Sequence, residues 1–287
     1  MEKNANLAHW ENWASEYGTE LRATTKCLSI KRLEIEALLA QIRKHVSTPK
    51  PVVLEIGCGN GVNGIALVSR HPDLHSIGLD FSPRMIVNAV QSVEKIKESS
   101  VKERLSFGVA DAQTLRLPLV LDATGPHFAG SEVNLPARGV DVVFTDRMLI
   151  NLSSAEEQLA VMRGLAGVLA PDGVFLMLEN SQQLHGRLTK IREALGLPPR
   201  PAASYNIFID EDSVIRPFQE VMRLIGTYDL SSMHDLMLYA VEPSLNGGEV
   251  QYDSPLMTRL TDAILALSEL GVEMPGFGQN RLWIWKK

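Results

Sequence analysis

The chain has 287 residues, and its 28 basic and 34 acidic side chains give a formal net charge of −6. This acidic balance argues against a nucleic-acid partner held by phosphate contacts. A hydrophobic content of 45% is typical of a soluble globular protein, here one large α/β domain or one domain with an insertion. Two distant cysteines, Cys27 and Cys58, favour a cytoplasmic protein without a disulfide framework, and no apolar stretch predicts membrane insertion.

The first 50 residues are predicted to be helical. Trp10, Trp13 and Tyr17 recur at helical spacing, and a second apolar stripe runs from Leu33 to Ile42. An aromatic stripe of this kind packs in a core or forms a lid over a ligand, and both alternatives stay open.

Short apolar segments then alternate with helical ones. Strands are predicted at residues 52–56, 75–80, 105–110, 140–145 and 174–179, with helices at 62–70 and 83–98 and a third after Ser154. Ser154 and Glu157 match a capping box, and residues 170–173 match a tight turn. This alternation predicts a parallel sheet covered on both faces, with ligands bound at the carboxyl ends of its strands.

The pattern changes after PPRPAA, residues 198–203. Strands are predicted at residues 221–230, 236–241 and 282–285, and a helix at 257–270. We therefore divide the chain into an N-terminal helical cap (1–50), a core (51–197) and a C-terminal part (198–287). The last part completes the sheet and covers the substrate.

The segment VLEIGCGNGVNG, which begins at Val53, can be interpreted in two ways. Its GNGVNG portion, with Asp80 about twenty residues on, satisfies the dinucleotide fingerprint. In that frame, however, a pyrophosphate would lie close to Glu55. The alternative frame, EIGCGNG, places an acid ahead of three alternating glycines, which suits a ligand with an amine and a sulfonium.

Two further carboxylates follow the second and third predicted strands. Asp80 is placed to accept hydrogen bonds from a ribose diol, and Asp111 to meet an adenine amino group. Three neighbouring strand ends thus offer three complementary contacts in chain order.

Five segments together resemble the successive motifs of class I S-adenosylmethionine-dependent methyltransferases: VLEIGCGNG, IGLDFSPRMI, FGVADAQTL, DVVFTDRMLINL and LAPDGVFLMLEN. The resemblance covers about residues 50–180. It implies a doubly wound, seven-stranded Rossmann-like sheet, mostly parallel with an antiparallel edge strand, and S-adenosylmethionine as cofactor. The C-terminal segment ENSQQLHGRLTKIREALGL resembles bacterial small-molecule methyltransferases, some associated with sugar or capsule pathways.

The resemblance also implies a set of site residues. The segment from Asp146 to Asn151 would face the methyl group and the acceptor. Those implied for the cofactor are Glu55, Gly57, Cys58, Gly59 and Asn60 at the methionine part, Asp80 at the ribose, Phe81 and Met85 flanking the adenine, Asp111 and Ala112 at its edge, and Asp146 near the methyl group. If the aromatic stripe forms a lid, Tyr17 would also reach the methionine end of the cofactor.

Candidates for catalysis are Asp146, Arg147 and His234. Arg147 would hold an anionic group or form a structural salt bridge, and it shares a helical face with Asn151. A hydroxyl acceptor would need a base, and the candidates for it are Asp146, Glu179, His185 and His234. His127 lies in another segment predicted at the rim.

The predicted function is transfer of a methyl group to a heteroatom, oxygen in our interpretation, of a polar small molecule such as a sugar or an anionic metabolite. A protein-modifying methyltransferase, a noncatalytic S-adenosylmethionine-binding module and a nicotinamide oxidoreductase are the alternatives. The partner expected is a small-molecule acceptor, with no nucleic acid, membrane or metal, and a homodimer is allowed for. One acid beside Arg147 is a poor metal site.

Overall fold

A computed structural model describes residues 3–114 and 135–287. Most of the glycine- and proline-containing loop before residue 140, including His127, falls outside these residues. The strands are β1 (Val52–Ile56), β2 (His75–Asp80), β3 (Leu105–Val109), β4 (Val140–Asp146), β5 (Leu169–Asn180), β6 (Arg223–Tyr228) and β7 (Asn280–Lys286).

These strands form one seven-stranded sheet in the order β3-β2-β1-β4-β5-β7-β6. Strands β1 to β5 pair in parallel, and β7 runs antiparallel to both of its neighbours, β5 and β6. The mostly parallel, seven-stranded Rossmann-like sheet predicted from the sequence is therefore confirmed.

Helices cover the sheet and precede it. They are α1 (Lys3–Tyr17), α2 (Leu28–His45), α3 (Val62–Arg70), α4 (Pro83–Glu94), α5 (Ser99–Lys102), α6 (Ala155–Val168), α7 (Gln182–Ala194), α8 (Arg216–Phe218), α9 (Ser232–Leu236), α10 (Glu242–Leu245) and α11 (Pro255–Glu269). Among the described residues, no helix combines the length and the apolar character needed to cross a bilayer.

The central strands are buried on both faces, as their continuous apolar sequences indicate. In β4, Val142 and Phe144 pack into one core cluster, whereas Val143 packs into the other. Successive strand side chains point to opposite faces of a sheet, so one apolar run supplies both cores. Each fully buried side chain of this size contributes about 1.5–3 kcal/mol.

Serine side chains cap three of the described helices, α4, α6 and α7, the last through Ser181. Ser82 accepts a hydrogen bond from the Met85 N–H at the start of α4. Ser154 accepts one from the Glu157 N–H at the start of α6, as predicted. Each cap satisfies a backbone donor that has no partner within the helix.

Two sequence predictions about the C-terminal half are wrong. Residues 236–241 are helical, in α9 and a π-helical turn (Met237–Val241). A short apolar run does not distinguish a buried strand from a buried helix by periodicity. Residues 170–173 lie within β5, because that strand already begins at Leu169, which pairs with Val140 before a register shift.

Candidate active site

A cavity of about 530 Å³ opens at the carboxyl ends of the parallel strands. Residues at or after the ends of β1, β2 and β3 line one part, which we call the cofactor half: Gly57, Gly59, Asp80, Phe81, Met85, Asp111 and Ala112. Residues from the C-terminal part of the chain line the other part, which we call the acceptor half: Arg200, Tyr205, His234, Asp235, Tyr239, Tyr252, Gln279 and Asn280.

The cofactor half begins with a bare backbone at the end of β1. Gly57 and Gly59 have φ angles of 77° and 53°, in the left-handed region that favours glycine. A Cβ on Gly57 would lie 2.7 Å from Cβ of Met148, and one on Gly59 would lie 2.8 Å from Cγ2 of Thr24. Side chains are therefore excluded here, and the backbone stays open to a ligand.

Asp80 ends β2 and faces this cavity. Its two oxygens accept hydrogen bonds of 2.9 Å from the N–H groups of Gly59 and Ser82. Burial raises the pKa of Asp80 to about 6, although these hydrogen bonds lower it. The carboxylate still has acceptor capacity for the hydroxyls of a sugar.

Phe81, Met85, Asp111 and Ala112 line the same half of the cavity. Met85 lies on the first turn of α4, which the Ser82 cap fixes. Asp111 accepts a hydrogen bond of 3.0 Å from the Gln113 N–H, which shapes the turn after β3. The bare glycine backbone, two acids and two large apolar side chains suit a nucleoside that carries an amino acid.

Four other residues of the predicted cofactor site lie outside the cavity lining: Tyr17, Glu55, Cys58 and Asn60. Tyr17 packs against Trp13 at a ring-centre distance of 4.9 Å. The Asn60 amide donates to the carbonyls of Gly18 and Glu20, at 3.2 and 2.8 Å. Asn60 thus joins the glycine loop to the segment after α1.

Glu55 is fully buried behind the glycine loop. Its Oε1 accepts a hydrogen bond of 2.7 Å from Asn63, whose amide also donates to Asp146 at 2.9 Å. Its Oε2 has no hydrogen-bond partner among the described residues. Burial raises the pKa of Glu55 to about 8, so in this arrangement it is largely protonated at neutral pH.

A buried cluster of four charges lies where the two halves meet: Lys31, Glu34, Asp146 and Arg147. We call it the charge quartet. Lys31 of α2 pairs with Asp146 at the end of β4 and with Glu34, the latter at 2.6 Å. Arg147 pairs with Glu34 at 3.1 Å and with Asp146 at 3.3 Å. Two cations and two anions balance one another.

The quartet determines what Asp146 and Arg147 can do. Burial alone would raise the pKa of Asp146, but Lys31 and Arg147 outweigh it and lower the pKa to about 2. Nε and Nη2 of Arg147 contact Glu34 and Asp146, whereas Nη1 donates to the Thr25 hydroxyl at 3.3 Å. The backbone of Arg147 is held at a φ of 54°. Asp146 is thus a weak base, and Arg147 forms the structural salt bridge that was the alternative to an anion site.

His234 lies on the inner wall of the acceptor half. Its Nε2 is 2.9 Å from the Ser29 hydroxyl and 3.6 Å from Cys27 Sγ, and its Nδ1 is 3.1 Å from Asp235. Burial lowers the pKa of His234, but the contacts with Asp235 and Cys27 outweigh it and raise the pKa to about 9.

The other candidate bases lie away from the cavity lining. Glu179 accepts hydrogen bonds from the N–H groups of Met148 and Leu149, at 3.1 and 3.0 Å, and so braces the loop after β4. His185 packs edge-on against Phe208 at 4.9 Å. Within the described residues, no group of three His, Cys, Asp or Glu side chains is placed to hold a metal ion.

Sequence reasoning missed Arg200, Tyr239 and Tyr252. Arg200 lies with its guanidinium carbon 3.8 Å from the centre of the Tyr239 ring. The proline-rich segment that carries Arg200 was noticed only as a break in the pattern. Tyr239 lies in the run that was predicted to be a strand.

Aromatic side chains of α1 cover the cavity. His9, Trp10 and Trp13 line it, and His9 contacts Tyr205 at a ring-centre distance of 4.5 Å. The segment after α7 and helix α1 thus meet over the site. Trp10 and Trp13 line the cavity and also pack against buried Ala14 and Met85, so both alternatives for the aromatic stripe, core packing and a lid, stay open.

Three comparisons place this geometry among known proteins. Residues 47–200 match the model of a methyltransferase domain family. A trans-aconitate 2-methyltransferase of Methylobacterium radiotolerans is 27% identical over 160 residues, which is 55% of this chain and 50% of that protein. The chain thus spans about half the length of this curated relative.

Solved structures share the fold over almost the whole chain. The structure of magnesium protoporphyrin IX methyltransferase of Synechocystis, with bound SAH, has a TM-score of 0.54 and 15% sequence identity with this chain. The match covers 99% of this chain and 94% of that protein's chain. Geranyl diphosphate C-methyltransferase of Streptomyces coelicolor has a TM-score of 0.51 and 11% identity, with coverages of 89% and 80%. The family model covers more than half of the chain, which therefore belongs to the methyltransferase domain family, with the class I fold and S-adenosylmethionine as its cofactor.

Proposed function

We propose that this protein transfers a methyl group from S-adenosylmethionine to an oxygen atom of a polar small molecule. The observation that carries the proposal is one cavity that holds both halves and is covered by α1. S-adenosylmethionine supplies a methyl group activated on a sulfonium. The protein aligns the two reactants and excludes water from between them.

The cofactor half would bind as the sequence motifs imply. Gly57 and Gly59 line the cavity beside the amino-acid part, and Asp80 accepts hydrogen bonds from the ribose. Phe81 and Met85 flank the adenine, with Asp111 at its edge. In this proposal Glu55, Cys58 and Asn60 support the glycine loop from behind.

The acceptor half supports a small acceptor over a protein substrate. A protein chain would need an open groove, whereas here α1 contacts the segment after α7 across the site. The name of the trans-aconitate relative supports a small anionic molecule as the acceptor. Arginine and tyrosine side chains in the acceptor half support a polar one.

The test is cofactor binding followed by a transfer assay. Titration calorimetry should detect S-adenosylhomocysteine binding and no NAD binding. With labelled cofactor, the label should then enter small molecules from a panel of hydroxyl and carboxylate metabolites. NAD binding without S-adenosylhomocysteine binding would contradict the proposal. Label found only in proteins would support the protein-modifying alternative instead.

A further inference from the structure

Arg200, unlike Arg147, forms no ion pair in the described part of the chain, and Asp235 attracts it only at longer range. Its Nη1 donates to the Gln279 side-chain carbonyl at 3.1 Å, and its face covers the Tyr239 ring. Arg147, by contrast, is neutralised by Glu34 and Asp146. A guanidinium that lines a cavity without a carboxylate has unused donors for a planar anion.

A second guanidinium strengthens the positive potential at this place. Arg192 is buried, and its donors contact the backbone carbonyls of Tyr239 and Pro198, with no carboxylate partner among the described residues. Burial and the nearby Arg200 lower the pKa of Arg192. The two arginines therefore repel one another, although Asp235 attracts Arg200.

The carboxylate that lies nearest in this half does not compensate them fully. Asp235 accepts hydrogen bonds from the Ser231 hydroxyl and the Gln279 N–H, both at 2.8 Å, and contacts His234. Its charge is thus shared by several donors. Within the described acceptor half, cationic groups outnumber carboxylates, and the excess favours an anionic ligand.

The state of His234 bears on the kind of oxygen that accepts the methyl group. A histidine that already holds its proton at neutral pH is a poor base for a hydroxyl. A protonated His234 suits an acceptor whose oxygen is already ionised before the acceptor binds. Other groups around the ring are Cys27 and Ser29 from the α2 side and Asp235 beside it.

We propose that the acceptor is a small-molecule carboxylate, that Arg200 binds it, and that a carboxylate oxygen receives the methyl group. A guanidinium fork also matches a phosphate, so a phosphate monoester is included among the probes below. The acceptor oxygen forms the new C–O bond while the C–S bond breaks, and the electron pair of that bond remains on sulfur. The methylated carboxylate becomes a neutral ester group, and no proton is released. This assignment rests on the proposed methyl-transfer function.

The first experiment measures binding to protein saturated with S-adenosylhomocysteine. The probes are trans-aconitate and citrate, their neutral amides, and a phosphate monoester. We expect the two carboxylates to bind and the amides not to. Arg200→Leu should weaken carboxylate binding roughly 10- to 100-fold. The carboxylate affinity of Arg200→Lys should lie between those of the wild type and Arg200→Leu, because lysine keeps the positive charge but lacks the planar guanidinium fork.

Two controls separate this role from a folding defect. Arg200→Leu should bind S-adenosylhomocysteine as the wild type does. Arg187→Leu removes an exposed arginine of α7 that lies outside the cavity lining, and it should change carboxylate binding by less than about twofold. Carboxylate binding that survives Arg200→Leu, or equal binding of the amides or the phosphate, would overturn the assignment.

The second experiment measures products and protons in weakly buffered, mildly acidic solution. Formation of S-adenosylhomocysteine from carboxylates without proton release supports ester formation. One proton released for each methyl group, or turnover of neutral hydroxyl acceptors only, overturns it and leaves the proposed function standing. If carboxylates bind but no acceptor leads to formation of S-adenosylhomocysteine, both the proposed function and ester formation are overturned. Arg200 would then be retained only as a carboxylate-binding residue.

Discussion

The two halves of the cavity differ in charge. The cofactor half presents carboxylates, Asp80 and Asp111, on a backbone with few side chains. The acceptor half presents Arg200, with Arg192 behind it and a histidine whose pKa is raised. Between them, the quartet of Lys31, Glu34, Asp146 and Arg147 is balanced and buried.

This difference matches the charges of the reactants in our proposal. The cofactor suits a half whose carboxylates bind its ribose and adenine, and a carboxylate acceptor suits the cationic half. Their charges cancel when the methyl group moves, so the products interact less favourably with both halves. A neutral boundary keeps one half from attracting the ligand of the other.

The largest expected effect is the loss of stability when the charge quartet between the two halves loses one of its cations. Lys31→Met leaves Glu34 and Asp146 with one cation, Arg147, between them in a buried place. Removing one partner of a buried ion pair costs about 3–5 kcal/mol, because the remaining charge loses its compensation. Urea unfolding should show a free energy of unfolding lower by about this amount.

The neighbouring residue supplies the control. Arg32 on the same helix pairs with Asp262 at 2.7 Å, but both side chains are about half exposed, at 50% and 48%. Arg32→Met should lower the free energy of unfolding by less than about 1 kcal/mol. Equal effects of the two substitutions would show that the quartet does not stabilise the protein as a buried cluster.

The pH dependence of stability tests the cationic half. The pKa of His234 is about 9 in the folded protein, above its value of about 6.5 in an unfolded chain. The stabilisation is therefore complete below about pH 6.5 and is lost as pH rises through about 9. It amounts to about 3 kcal/mol by the same relation.

The measurement is the difference in free energy of unfolding between wild type and His234→Gln, which should shrink from pH 6 to pH 9.5. Glu55 and Glu179 also have raised pKa values, but both proteins contain them, so their contributions cancel. In a Cys27→Ala background the same difference should be smaller, since the Cys27 contact helps raise the pKa of His234. If the difference in free energy of unfolding instead grew with pH, the pKa of His234 would be lowered in the folded protein, and His234 would again be a candidate base.

The sheet and the cofactor half were predictable because their signals are local. Each contact follows directly after a strand, as Asp80 follows β2, and parallel strands bring their carboxyl ends to one edge. Glycines in the sequence indicate positions where the backbone adopts a positive φ, as Gly57 does. Sequence alone therefore placed Gly57, Gly59, Asp80, Phe81 and Asp111 near one another.

The acceptor half was not predictable in the same way. Arg200 and Tyr239 are 39 positions apart in the chain and meet only through packing of the segment after α7. Arg147 and Arg200 look alike in the sequence, and only the buried Glu34 decides which of them is neutralised. The helix at residues 236–241 was not predicted for another reason: its Leu, Met and Ala residues favour a helix, but the periodicity of so short an apolar run does not distinguish a helix from a buried strand.

The smallest of these effects concerns the acidic half. Asp80→Ala should weaken S-adenosylhomocysteine binding by about 2 kcal/mol, because hydrogen bonds to a charged acceptor are lost. Calorimetry should show no such loss in Asp73→Ala, which removes an exposed acid from the loop before β2. Carboxylate binding should survive Asp80→Ala, just as cofactor binding should survive Arg200→Leu. If either substitution weakened both ligands equally, the two halves would not be separate binding regions, and the cavity would respond to charge as a whole.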